Sequence, residues 1–92
     1  MYATRAHKIL TAAGIAHDYE NTGGGTMCTT ITKGIFVAVM GEDTPSVYVY
    51  NVSSWHNGGE PLAARYEADQ YDLDFEPERF DEGLITLIEF VR

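Results

Sequence analysis

The hydrophobic pattern of this chain opens with a helical period and changes to alternation after Gly14. Ala6, Ile9, Leu10 and Ala13 recur at helical spacing while Arg5 and Lys8 lie elsewhere, which predicts a helix over about 3–13. Gly14 stands where a left-handed residue ends a helix, with Ile15 placed to fold back on Leu10. In "IAHDYEN", Ile15, His17 and Tyr19 then alternate with Ala16, Asp18 and Glu20, the mark of a half-buried strand. "TMCTTIT" is a second strand, rich in β-branched residues. Lys33-Gly34 is a tight connection. "IFVAVM" (35–40) is a continuous apolar run and the natural central strand, and "SVYVYNV" (46–52) is a fourth.

The polar stretch "SSWHNGGEP" (53–61) is expected to be a loop. "LAARYEA" (62–68) fits an edge strand, because a hairpin back from the fourth strand is the shortest connection. In the longer stretch "LAARYEADQYDL" (62–73), Leu62, Tyr66 and Leu73 also fit a helix. Pro77 suits the first position of a final helix whose apolar face is Phe80, Leu84, Leu87, Ile88 and Val91. Glu76, Glu78, Asp81 and Glu82 place negative charge at its positive end, and Arg92 closes the other. The order predicts one α+β domain over 1–92. Its architecture is two-layer, an antiparallel 4–5-stranded meander sheet with the N- and C-terminal helices packed on one face.

That arrangement has a consequence for binding. Two helices cover one face of the sheet, yet 35–40 is apolar on both faces, with Ile35, Val37 and Val39 on one side and Phe36, Ala38 and Met40 on the other. Phe36, Met40, Tyr48 and Tyr50 are the residues expected on the open face, since Tyr and Met are favoured at interfaces. A partner, a second copy of the chain, or the Trp55 loop would cover it. Trp55, in its polar loop, is a candidate contact residue in its own right or a side chain tucked onto the core.

Charge sharpens the picture. The formal net charge of the 92 residues is −8, and eight of the fourteen acids lie between Glu67 and Glu82, opposed there only by Arg79. Nucleic-acid binding needs clustered Lys and Arg, and the six here are scattered, so no direct nucleic-acid partner is expected. No apolar run is long enough to span a membrane and no signal-peptide pattern opens the chain. One cysteine permits no internal disulfide, and the default address is a reducing cytoplasm.

The motifs that invite chemistry each have a plainer account. "TGGGT" has three glycines, but a β-branched strand follows them and no Lys-Ser/Thr pair does, so Gly23, Gly24 and Gly25 are first a hairpin loop and only secondarily a backbone nest for an anion. Cys28 lies mid-strand, where a free thiol is usually a small buried hydrophobe rather than a nucleophile paired with His7, His17 or His56. His17 is expected to be half-buried and satisfied. One Cys and three separated His give no zinc spacing. Read as a calcium loop from Asp72, the acidic run has Pro77 where Gly is needed and Gly83 where Glu is needed. Asp69, Asp72, Asp74 and Glu76 are then a solvated acidic edge, a weak opportunistic divalent-ion site, or a surface that mimics a phosphate backbone for a basic groove.

"ILTAAGIAHDYENTGGGTMCTTI" (9–31) resembles a pattern in small proteins of actinobacteria and their bacteriophages: a short Ala-rich helix, "AAGI", an acidic strand, "TGGG", then a small-residue strand. The resemblance covers the first third of the chain. It implies a phage or actinobacterial accessory protein, in the host cytoplasm if phage-encoded, and transfers no functional residue. The order of elements is also similar to double-stranded-RNA-binding domains, but the last helix opens with "EPERFDE", the wrong charge for that role.

The expectation is therefore a small non-enzymatic protein that binds another protein, such as a host factor or defence component, or forms a homodimer. It has no catalytic residue, cofactor or metal. The contact residues are Phe36, Met40, Tyr48, Tyr50, Trp55, Asp69, Asp72, Asp74 and Glu76. The alternatives are an acidic nucleic-acid mimic and a small-molecule or nucleotide-binding module using 23–25.

Overall fold

The computed structural model describes residues 1–22, 25–68 and 77–91. Five strands form one antiparallel meander in the order β1-β2-β3-β4-β5: β1 (Asp18–Asn21), β2 (Met27–Lys33), β3 (Phe36–Gly41), β4 (Val47–Asn51) and β5 (Ala63–Tyr66). Helices α1 (Tyr2–Ala12) and α3 (Pro77–Glu89) pack on one face, as the sequence pattern predicts. A short helix, α2 (Val52–His56), lies against the other.

The helix-side core joins Leu10 and Ala6 of α1 to Phe80, Leu84 and Leu87 of α3 over Ile31, Ala38, Met40 and Val47. Burying a large apolar side chain fully contributes about 1.5–3 kcal/mol, and Leu10, Met40, Val47 and Leu87 are all at 0% exposure. The two helices meet through stacked Tyr2 and Phe80, ring centroids 6.3 Å apart. Thr29 Oγ1 donates to the Ala3 carbonyl at 2.6 Å and fastens α1 to β2. On α3, Gly83 passes so close to the Pro45 carbonyl that a Cβ would collide with it.

Local signals explain most boundaries. Gly14, with φ 71, ends α1. Its N–H donates to Thr11 O at 3.2 Å and that of Ile15 to Leu10 O at 3.0 Å, the paired bonds of a Schellman motif. That turn delays β1 to Asp18, three residues later than the alternation beginning at Ile15 suggests. The connection over 22–26 joins two paired strands, as a hairpin loop should. The Thr22 N–H donates to Thr26 O at 2.9 Å, and Gly25 has φ 83.

Three expectations need correction. The stretch 53–61 is not simply a loop: α2 opens it, because the Asn51 carboxamide accepts the Ser53 N–H at 3.0 Å and caps a helical turn. Val91 lies past the end of α3 and is 41% exposed, so it does not extend the buried face. Met40 does not belong to an open face. It pairs with Val47 beneath the helices, whereas Tyr48 pairs with Val39 and Tyr50 with Val37. Directly paired residues of antiparallel strands share a face, so the tyrosines stand on the side opposite Met40 and Phe36. The acids Asp69, Asp72, Asp74 and Glu76, with Gly23, Gly24 and Arg92, lie outside the described residues.

Candidate binding face

The pairing register composes the second face strand by strand. Glu20 pairs with Cys28 and Asp18 with Thr30, so the two acids of β1 share this side with Cys28 and, across β3, with Val37 and Val39. Tyr48 and Tyr50 continue it on β4. The α2 turn then carries Val52 and Trp55 back over the sheet, where they and Tyr50 pack on Cys28, Val37 and Val39. The Tyr50 and Trp55 rings meet at centroids 4.9 Å apart and 49° between planes. The Trp55 indole N–H points to Glu20 Oε1, a long contact of 3.4 Å.

Part of this face is thus covered by the chain itself, and Trp55 is half-buried. What stays open is a concavity of about 370 Å³ beside α2, lined by Tyr48, Tyr50 and Trp55 over Met27, Cys28 and Val39. Asp43 and Glu42 line it, Glu42 paired with the Met1 ammonium, and among the described residues no Lys or Arg does. Glu20, on the same face, adds a further carboxylate. Burial first, then Glu20, pushes the Cys28 thiol up to about 11. Burial, then Tyr48, Glu60 and Cys28, pushes the Tyr50 phenol above its ordinary range. At neutral pH Cys28 is therefore a neutral, buried thiol and no nucleophile.

A larger groove of about 790 Å³ opens on the helix side between the β2–β3 turn and the end of α3. Phe36, 42% exposed, sits there with Ile35 and Phe90, and Lys33, Arg65 and Glu89 mix their charges around it. Volume alone does not make it the better candidate, because its charges oppose one another and its aromatics, Phe36 and Phe90, carry no polar tip.

The histidines belong to neither. His7 stacks on Tyr19 at 4.2 Å and lies 2.8 Å from His17, Nδ1 to Nε2, on the helix side of β1. His17 Nδ1 lies 2.7 Å from Ile15 O, which can only accept, so His17 donates from Nδ1 and accepts at Nε2 from His7. His17 is half-buried and partnered, as expected, and the sheet separates this pair from Cys28. Among the described residues no group of three His, Cys, Asp or Glu is arranged to hold a metal ion, and no helix is long and apolar enough to cross a membrane.

Of the residues singled out from sequence, Tyr48, Tyr50 and Trp55 come together; Phe36 and Met40 do not join them. Val39, Cys28 and Glu20 were missed as parts of the same face. Only the strand register could have placed them there, and alternation within one strand does not supply it. No family model matches this chain, and searches of curated proteins and of solved structures found no match.

Proposed function

We propose that the protein is a non-enzymatic protein-binding module whose contact site is the concavity bounded by Tyr48, Tyr50 and Trp55. The observation that supports this is the convergence of three aromatic side chains, from β4 and α2, around an open hollow that Asp43 also lines. Tyr and Trp carry much of the binding energy at protein interfaces because each offers a large rigid apolar surface with one polar tip. The neutral thiol beneath them provides no nucleophile. The resemblance of the first third of the chain to phage and actinobacterial accessory proteins favours a host factor or defence component as the partner.

The test is cross-linking from a photoreactive side chain at position 48, with the same group at exposed Ile9 as control. A single partner captured from 48 and not from 9, and lost in Trp55→Phe with Tyr50→Leu, supports the proposal. Capture that survives those changes but fails in Phe36→Ala moves the site to the helix-side groove and overturns it. Light scattering identifies the case in which the captured partner is a second copy of the chain.

A further inference from the structure

We infer that the concavity beside α2 recognises a cation, a quaternary ammonium or guanidinium group, held against the faces of Tyr48, Tyr50 and Trp55. This rests on the reading of the concavity as the contact site and names the chemistry it selects.

Three observations point the same way. First, three aromatic side chains line the concavity, beside the hydroxyls of Thr22, Thr26, Thr44 and Ser46. The 49° tilt between Tyr50 and Trp55 makes them a corner, and Tyr48, two residues along the same strand face, adds a further side. A cation within about 6 Å of such a ring centroid is drawn to its negative face, most strongly by Trp. Second, among the described residues the charged side chains that line it are acids, Asp43 and a Glu42 paired with the Met1 ammonium. Asp43 lies on the rim, Glu20 accepts from Trp55, and Glu60 is close enough to act on Tyr50. The cations of the other groove, Lys33 and Arg65, line the helix side. Third, the floor is apolar and uncharged: Val39 and Met27, with Cys28 held as the thiol. An anion would meet repulsion from the rim, and a neutral apolar group would forgo the attraction. A weakly hydrated cation satisfies floor, walls and rim together.

The probe is choline, with 3,3-dimethylbutan-1-ol as its uncharged isostere, followed through the Trp55 indole and tyrosine ring signals by NMR. Choline should bind about tenfold more tightly than the alcohol, and rising salt should weaken it. Tyr48→Leu, which keeps apolar bulk and removes the ring, should cost choline binding about fivefold or more while leaving the alcohol unchanged. Asp43→Asn with Glu60→Gln should weaken choline alone. Equal binding of the two probes, or no shift with either, overturns the inference, whereas choline binding without any captured protein upholds it and strikes only the protein-binding proposal. A partner captured at 48 that presents no Lys, Arg or methylated amine there leaves that proposal standing and ends this one.

Discussion

Glu42, from the β3–β4 connection, caps the first turn of α1 by accepting the Thr4 N–H at 2.6 Å and the Thr4 hydroxyl at 2.8 Å. The helix needs it, since Met1 at the N-cap offers no side-chain bond. With the Thr4 proton given to the carboxylate, Tyr19 O–H donates to Thr4 Oγ1 at 2.7 Å. One acid thereby ties α1 to both β1 and the far end of β3. Glu42→Gln should cost about 1 kcal/mol, and Glu42→Ala more, by loss of the cap and of its charge at the helix N-terminus. Denaturant midpoints measure both, and an unchanged midpoint in Glu42→Ala would show the cap to be idle.

The same residue sets an acid limit. Burial acts to raise the Glu42 pKa, but bonds to the Met1 ammonium and Thr4 outweigh it and hold the carboxyl below its usual value of 4.5. A depressed folded pKa contributes stability above the unfolded value that is lost as pH falls through the folded one. Below pH 4.5 the wild type should therefore lose stability faster than Glu42→Gln. Parallel curves for the two proteins would assign the acid loss to other groups.

At the alkaline end the sign reverses. The Cys28 thiol is raised from 9.0 to about 11, and the Tyr50 phenol is raised as well. A raised folded pKa contributes stability present below the unfolded value and lost as pH climbs toward the folded one. Stability should fall between pH 9 and 11, and Cys28→Ala should flatten that fall despite a lower starting point. Below pH 9, iodoacetamide should reach Cys28 only in denaturant; labelling of the native protein at the unfolded rate would contradict its burial.

Gly83 is a packing residue rather than a hinge. Alanine is the better helix former by about 1 kcal/mol. At this position its methyl would strike the Pro45 carbonyl, with Met40 Cε 3.1 Å away. Overpacking of this kind costs about 1–3 kcal/mol, so Gly83→Ala should destabilise, seen as a lower Tm. A higher Tm would mean that α3 shifts freely off the β3–β4 connection.

The histidine pair makes a spectroscopic prediction. Nitrogen-15 shifts of the neutral rings should show Nδ1–H tautomers for both His7 and His17. An Nε2–H tautomer at His17 would break the pair. His7→Phe should keep the stack on Tyr19 and release His17.

How much of this was legible beforehand divides along a physical line. Amphipathic periods, the Gly14 stop and the apolar run at 35–40 sufficed for the element order and the α+β class, because those features act within a few residues of each other. The capped turn at α2 was also written locally, in Asn51 two residues ahead of Ser53, yet the surrounding polar residues hid it.

The site itself was half visible. Tyr48, Tyr50 and Trp55 stood out by residue type, but Met40 and Phe36 were set beside them because alternation within a strand says which residues share a side, not which side of the neighbouring strand they join. Pairing Val39 with Tyr48 decided that. By itself, then, the sequence determined the two terminal helices, the order of the strands and the acidic balance, all set by short-range sterics, hydrophobic period and composition. Only the tertiary structure decided that Met40 is core, that Glu42 caps a helix 38 residues away, and that a hollow lined by Tyr48, Tyr50 and Trp55 opens beside α2. Those depend on register and on long-range contact, which no local run of residues encodes.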